Sequence, residues 1–148
     1  MTRDIRTGLD VLGYDECRDL LARSPIGRVA IHLAGSRPAI LPINYVLDGD
    51  DIVFRTDPSS ALHRADGQVV AFEIDGIDRP YHLGWSVLVT VTVEEVSDGT
   101  ERDALAAIGL GPWAPGAKST WMRLRPDTIT GRSIPPDDRS DSRVPRRR

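Results

Sequence analysis

The stretch AILPINYVLDGDDIVFRT, residues 39 to 56, determines the fold that this sequence predicts. Its two apolar runs are separated by DGDD at residues 48 to 51. A glycine between aspartates accepts the backbone angles of a tight turn, so the two runs are predicted to pair as an antiparallel hairpin. Pro42 lacks a backbone N–H, and it therefore places the first of these strands at a sheet edge or at a bulge.

Apolar runs of similar length lie on both sides of this hairpin. They predict one strand before it and four after it: GRVAIHL (27–33), QVVAFEID (68–75), WSVLVTVTVEEV (85–96), TWMRLRP (120–126) and TITGRSI (128–134). Two short helices are predicted: YDECRDLLARS (14–24), which Pro25 ends, and TERDALAAIGL (100–110), with Thr100 as N-cap and Gly111 beyond its end. Six or seven strands joined mostly as hairpins predict a mainly β fold, a β-barrel with short helices.

The composition is that of one ordinary soluble domain. The chain has 148 residues, of which 40% are hydrophobic and 28% charged. No apolar run reaches the length of a membrane span, and the N-terminus lacks the apolar centre of a signal peptide. The single cysteine, Cys17, excludes an internal disulfide framework, so a cytoplasmic location is expected. A formal net charge of −3 argues against general nucleic-acid binding.

The uneven distribution of charge predicts a boundary near residue 134. Residues 135–148, PPDDRSDSRVPRRR, hold five Arg and three Asp, which leaves a net charge of −5 on residues 1–134. Val144 is the only aliphatic residue of this segment, so the segment buries too little apolar surface to fold. We therefore expect a folded domain over 1–134 and a disordered, Arg-rich tail over 135–148.

The segment after the hairpin, TDPSSALHRA at 56–65, has two interpretations. It is a capped helix if Asp57 is the N-cap and Pro58 occupies the first helical position. It is an anion site if backbone N–H groups at the helix start act together with the guanidinium of Arg55. The residue types alone favour the capped helix.

Residues able to catalyse a reaction form no recognisable arrangement in the sequence. His32, His63 and His82 lack metal-ligand spacing, and Cys17 lies in a helical pattern that indicates a core position. The alternating acids of FEIDGID at 72–78 are expected to be solvated. We therefore assign no general base and no metal site.

Three tryptophans, Trp85, Trp113 and Trp121, stand out in a chain with only 5% aromatic residues. Packing explains each one singly, whereas together they are also able to wall a site for a planar ligand. The apolar strand at 85–96 and the loop around Trp113 favour a homodimer, because a small barrel rarely leaves that much apolar surface exposed to water.

Five segments occur in an order that resembles one protein family: GRVAI, LPINYVLDGDDIVFRT, VAFEIDGID, GWSVLVTVTVEEV and RLRPDTITGR. They resemble the pyridoxamine 5'-phosphate oxidase-like family over residues 13–134, specifically the actinobacterial-type branch of flavin-binding (FMN) split-barrel proteins. The resemblance implies a six-stranded antiparallel split β-barrel that forms a homodimer, with cofactor sites shared between the chains. It implies FMN as cofactor, with an 8-hydroxy-5-deazaflavin coenzyme or haem as alternatives.

By this resemblance, the cofactor phosphate binds where the third strand ends and the next segment begins. The residues assigned to phosphate binding are Arg55, Thr56, Ser59, Ser60 and His63. Ala61 departs from the family, which often has a lysine there, and no lysine precedes Lys118. His63 or Arg64 would have to supply the missing charge, and the departure leaves other ligands open.

The resemblance also places the flavin ring against the backbone of the second strand, at Pro42, Ile43, Asn44 and Tyr45. Trp85 and Ser86 resemble residues that reach the site from elsewhere on the barrel, and Arg132 is a further candidate for phosphate or substrate. From the residues alone, Pro42 is equally an edge-strand residue and Arg132 an exposed strand end.

The functional hypothesis is an oxidoreductase in which the flavin exchanges hydride with a small planar substrate. A true pyridoxamine phosphate oxidase is not expected, because PPDDRSDSRV stands where that enzyme has an arginine- and histidine-bearing segment. The alternatives are a non-catalytic protein that binds FMN, deazaflavin or haem, a deazaflavin-dependent reductase, and an interaction protein that has lost its cofactor.

Overall fold

The computed structural model describes residues 2–110 and 118–135. Within them, nine strands are β1 Thr2–Arg3, β2 Asp10–Leu12, β3 Ile26–His32, β4 Pro38–Asn44, β5 Val46–Asp48, β6 Asp51–Thr56, β7 Val69–Asp78, β8 Leu83–Glu95 and β9 Thr120–Ser133. The helices are α1 Tyr14–Arg23, α2 Ala61–Arg64 and α3 Gly99–Ala106, with a short 3₁₀ turn at Ala34–Ser36. Across these two ranges, every helix is too short or too polar to cross a membrane.

The predicted mainly β fold is confirmed. All strand pairs are antiparallel, and the sheet runs in the order β1-β2-β9-β8-β7-β3-β4. The hairpin β5–β6 joins this sheet through β6, which pairs with β9. Six strands have six residues or more, in agreement with the six-stranded split barrel, and β1, β2 and β5 are short additions.

Strand β9 is the strand at which the barrel splits. It pairs with β8 along its length, while its other edge pairs first with β6 and then with β2. The prediction of two separate strands at 120–126 and 128–134 is wrong, because Pro126 does not end the strand. The register shifts so that Val91 faces Pro126 and Thr90 faces Thr128, which leaves Asp127 as a bulge. A bulge is a place where a sheet tolerates the missing N–H of a proline.

The core is filled mainly by aliphatic side chains that alternate along the strands. On β8, Val87, Val89, Val91 and Val93 are at most 1% exposed, whereas Leu88 on the opposite face is 49% exposed. Complete burial of one such side chain contributes about 1.5–3 kcal/mol. This period of two explains why so Val-rich a segment forms a strand with one buried face.

Helix α1 closes one end of the barrel through Cys17 and Leu21, which are both buried. A Cβ atom at Gly131 would lie 2.5 Å from the Cys17 sulfur, so only glycine lets the helix approach β9 this closely. The predicted core position of Cys17 is confirmed. Its burial raises the pKa of the thiol.

The predicted N-cap of the last helix, Thr100, is wrong. Helix α3 begins at Gly99, and the carboxylate of Asp98 accepts the Glu101 N–H at 3.0 Å. Asp98 lies two residues before Thr100 in extended conformation, and its side chain accepts the N–H that has no partner within the helix. Gly111, Trp113 and the tail beyond residue 135 lie outside the described residues.

Candidate functional site

Arg55 lies near the end of β6 and has no carboxylate partner in the part of the chain that the structure describes. Its Nε donates to the Lys118 carbonyl at 2.8 Å, and its guanidinium carbon lies 5.2 Å from the centre of the Trp121 ring. Within residues 2–110 and 118–135, no acidic group pairs with it. A half-buried arginine held by a carbonyl and a ring keeps donors for an anion.

A chain of polar contacts joins Arg55's neighbour Thr56 to strand β8. The buried Thr56 hydroxyl donates to Ser60 Oγ at 2.7 Å, and Ser60 Oγ accepts the His63 N–H at 3.1 Å. The His63 ring lies 3.0 Å from the Glu95 carboxylate, and this hydrogen bond raises the pKa of His63. The structure therefore brings Thr56, Ser60 and His63 together.

The capped-helix interpretation is correct in kind but assigns the wrong cap. Helix α2 begins at Ala61 with Ser60 as its N-cap, so Asp57 does not cap it and Pro58 is not in its first turn. Four residues are too few for an appreciable helix dipole, so side chains must supply most of the charge here.

Lys118 is the site residue that the sequence analysis did not assign. Its Nζ lies 3.0 Å from the Asp57 carboxylate, and its carbonyl accepts the hydrogen bond from Arg55. Lys118 is the only lysine of the chain, and this was the one feature of the sequence that could have pointed to it. It places a positive charge beside the segment in which Ala61 lacks one.

Strand β4 presents its predicted site residues on two opposite faces. Ile43 and Tyr45 are buried in the core, where the Tyr45 hydroxyl donates to the Leu21 carbonyl at 2.6 Å and its ring packs edge-on against Phe72. Burial raises the pKa of Tyr45. Pro42 is exposed and Asn44 half-buried on the other face. Their strand is at the sheet edge, as Pro42 predicted.

Trp85, Ser86 and Arg132 lie elsewhere, around a cleft of about 750 Å³. The Trp85 ring packs closely against β7 at Gly76, where an added Cβ atom would lie 2.6 Å from it. Asp75 faces Ser86 across β7 and β8, and Ser86 faces Arg132 across β8 and β9. The cleft thus combines an acid, a hydroxyl and a guanidinium in one row of paired residues with the indole ring of the adjacent row.

Asp75 in this row was expected to be a solvated carboxylate, and it is exposed. Hydrogen bonds with Glu73 and Arg28 lower the pKa of Asp75, so it is ionised at neutral pH. Arg132 is held by Asp4, with 3.5 Å between nitrogen and oxygen. The cleft therefore offers the carboxylate of Asp75 and the guanidinium groups of Arg79 and Arg132 within a largely apolar surface.

The two groups of candidate residues stand at opposite ends of the same strands. Thr56 faces Thr120 at the start of β9, and Arg132 follows Thr120 by twelve residues near its end. At about 3.3 Å per residue, this separation is about 40 Å along the strand. Within one chain, the two groups are thus separated by most of the length of β9.

Comparison with known proteins identifies the relatives of this chain. Residues 14–133 match the family described as pyridoxamine 5'-phosphate oxidase. The Mycobacterium tuberculosis protein Rv0080 is 36% identical over 135 residues, which cover 87% of this chain and 88% of that protein.

Two solved structures have the same fold. The FAD binding protein from Mycobacterium smegmatis is 33% identical, with a TM-score of 0.74 over 84% of this chain and 98% of that one. The FAD and heme binding protein from Mycobacterium smegmatis is 19% identical, with a TM-score of 0.64 over 85% of this chain and 74% of that one, and so shares the fold alone.

Proposed function

This chain belongs to the pyridoxamine 5'-phosphate oxidase family, and we propose that it is a homodimeric flavin-dependent oxidoreductase of the cytoplasm. The proposed cofactor is FMN or a related flavin, and the proposed substrate is small and planar. A relative that binds FAD, at 33% identity over almost its full length, supports a flavin. We do not propose that it acts as a true pyridoxamine phosphate oxidase.

The observation that carries this proposal is the separation of the two candidate groups. Arg55, Thr56 and Ser60 lie at one end of the barrel, and Trp85 and Arg132 lie at the other. A twofold axis perpendicular to the strands would place one end of a protomer against the other end of its partner. In such a dimer each site combines the phosphate segment of one chain with the cleft of the other.

The phosphate segment has the donors that a phosphate monoester needs. Arg55 supplies a guanidinium with no carboxylate partner among the described residues, and Ser60 supplies a hydroxyl group whose oxygen accepts from Thr56 at 2.7 Å and whose own hydrogen is left to donate. Charge-assisted hydrogen bonds of this kind are the strong ones. Lys118 lies next to the segment, where its ammonium group pairs with the Asp57 carboxylate.

The cleft has the size and lining of a site for a planar ring. Its volume of about 750 Å³ is within the usual range for small-molecule pockets. Trp85 offers a ring face, while Asp75 and Arg132 offer charges that orient a polar edge. A bound flavin would supply the hydride chemistry itself, so the chain's task is to bind, orient and exclude water.

A second candidate is a protein that binds a cofactor without turnover, and Ala61 favours it. Absorbance of the purified protein distinguishes the cofactors, since flavin absorbs in the blue and near-ultraviolet, deazaflavin in the violet, and haem in a Soret band. We expect the flavin spectrum.

Turnover is tested by reducing the bound flavin without oxygen and mixing it with small quinones. An oxidoreductase should be reoxidised faster than free reduced FMN at the same concentration. Reoxidation at or below the rate of free FMN would favour the binding protein.

A further inference from the structure

The loop at 79–82, which joins β7 to β8, forms one end of the cleft. It contributes Arg79 and His82 to the lining, and both side chains are exposed. Strand β7 continues for three residues from Asp75 to its end at Asp78, which is about 10 Å. The cleft therefore extends past the row that Asp75 begins and reaches this loop.

Arg79 is the charged side chain of this cleft that has no partner in the described part of the chain. Asp75 is bound to Arg28, and Arg132 is bound to Asp4. Over residues 2–110 and 118–135, no carboxylate pairs with Arg79. Opposite charges in a pair largely cancel, and the apolar walls of a cleft strengthen the field of a free charge. This end of the cleft therefore attracts an anion.

Two exposed isoleucines line the cleft next to the loop. Ile77 is 76% exposed and Ile134 is 49% exposed. Both adjoin Gly84, because Ile77 pairs with it across β7 and β8 and the Ile134 N–H donates to its carbonyl at 2.8 Å. Glycine has no side chain, so the surface between the isoleucines is open to a ligand. An apolar molecule that covered them would remove their surface from water, which stabilises its binding.

His82 is held in the left-handed region of backbone conformation, with a φ of 50°. Its N–H donates to the Arg79 carbonyl at 3.2 Å, which closes the loop. Glycine adopts a positive φ without strain, so a histidine is an unfavourable choice for the backbone alone. Residues in such conformations cluster at ligand sites. The imidazole is therefore a second polar group for a ligand beside Arg79.

We propose that the end of the cleft at Arg79 and His82 is the substrate subsite, and that the substrate is a planar, apolar molecule with a single anionic group. This inference rests on the proposed flavin site and names the class of its substrate. The anionic group binds Arg79 and His82, and the apolar body covers Ile77 and Ile134. The flavin ring lies further along the cleft, toward Trp85. One free guanidinium matches one negative charge.

The test compares three naphthalene probes of similar shape and different charge: 2-naphthoate, 2-naphthamide and 2-naphthylmethylammonium. Each is titrated calorimetrically into the protein as purified. We expect the naphthoate to bind at least about tenfold more tightly than the amide, because Arg79 forms a charge-assisted hydrogen bond with it alone. The cation should bind no more tightly than the amide. Equal binding of naphthoate and amide, or tighter binding of the cation, would overturn the proposal.

Arg79→Ala should reduce naphthoate affinity about tenfold or more and leave amide affinity within about twofold. Arg79→Lys should restore part of the loss. Arg23→Ala is the matched control, because Arg23 is exposed on α1 and does not line the cleft, and it should change neither affinity. An unchanged preference for naphthoate in Arg79→Ala would overturn the subsite.

His82→Gly separates binding from folding. It should weaken naphthoate binding without lowering the melting temperature, since glycine accepts the positive φ. A lower melting temperature with unchanged naphthoate affinity would show that His82 serves the fold and not the ligand.

Arg55→Ala reports separately on the proposed function, because it should weaken flavin binding and keep the preference for naphthoate over amide. If that variant bound flavin normally, the phosphate site would be wrong and the subsite would stand. If it lost flavin while the wild type showed no preference for naphthoate, only the subsite would be wrong.

Discussion

Arg55 and Trp121 are opposite each other on strands β6 and β9, and the guanidinium carbon lies 5.2 Å from the centre of the indole ring. Trp121 is 7% exposed and packs with Val53, Val96 and Leu105 in a small core outside the barrel. The ring therefore fixes the position of the arginine without neutralising its charge. This tryptophan serves packing and support, and it does not wall the cleft that Trp85 lines.

Arg55→Ala should weaken FMN binding by about 2 kcal/mol, or roughly thirtyfold, because it removes a charge-assisted hydrogen bond. Thr56→Val should cost less, since it removes only the neutral hydrogen bond that positions Ser60. Titration of FMN by fluorescence quenching measures both effects. Arg125→Ala is the control, because Arg125 is exposed and bound to Glu94, and it should bind FMN normally. Unchanged affinity in Arg55→Ala would exclude a phosphate site at this strand end.

Ser60→Ala should lower the free energy of unfolding by about 1 kcal/mol, because Ser60 is the N-cap that accepts the His63 N–H. Asp57→Ala should cost less, at most about 0.5 kcal/mol, since it removes only a partly exposed ion pair with Lys118. Urea unfolding curves of the two variants measure the difference. If Asp57→Ala lost more unfolding free energy than Ser60→Ala, Asp57 and not Ser60 would be the cap.

The stability of the protein should decrease as the pH rises through the pKa of His63. The Glu95 hydrogen bond raises that pKa above the usual value of 6.5, so the folded state favours the charged ring. This contribution is fully present below pH 6.5 and is lost as the pH rises through the folded-state pKa. Melting temperatures of the wild type between pH 6 and pH 9 should show this decrease.

Glu95→Gln should flatten this pH dependence, because the amide does not favour the charged ring. His82→Gln is the matched control, since His82 is exposed on the hairpin after β7. If Glu95→Gln retained the full decrease, the pH dependence would have another origin.

Mixing two inactive variants should restore some cofactor binding if each site is shared between protomers. Arg55→Ala disables the phosphate segment and Trp85→Ala disables the cleft, at opposite ends of the barrel. After unfolding and refolding of an equal mixture, half of the dimers carry one variant of each kind. Such a dimer has one intact site, so about a quarter of all sites should bind FMN.

The stoichiometry of FMN titration measures this recovery, and light scattering of the same sample measures the mass. No recovery in a mixture of dimers would mean that each site is built within one chain. A monomer mass at micromolar concentration would contradict the homodimer itself.

Much of the fold was predictable because its signals are local. The DGDD turn at 48–51 joins β5 and β6 as expected, and the alternation along 85–96 appears as the buried valines of β8. The single strand predicted over 39–47 is wrong, because it is divided into β4, which pairs with β3, and β5, which pairs with β6. Helix α1 ends at Arg23, just before Pro25, as the proline predicted. Each of these features depends on residues within one turn or one strand.

The errors arose where neighbouring residues compete for one role. Asp98 replaced Thr100 as a cap, and Ser60 replaced Asp57, because the direction of the chain decides which oxygen meets the free N–H. At Pro126 a bulge kept one long strand intact, because pairing with β8 continues on both sides of it.

By itself, the sequence determined the barrel, its family resemblance and the residue types able to hold a flavin, because turn chemistry and the period of two act over short distances. Only the tertiary structure decided which of those residues share a site. It brought Lys118 to Asp57 and Ile134 to the cleft that Arg79 lines, and it placed Arg55 and Arg132 at opposite ends of the barrel. These relationships depend on strand register and on the packing of distant segments, which no local pattern encodes.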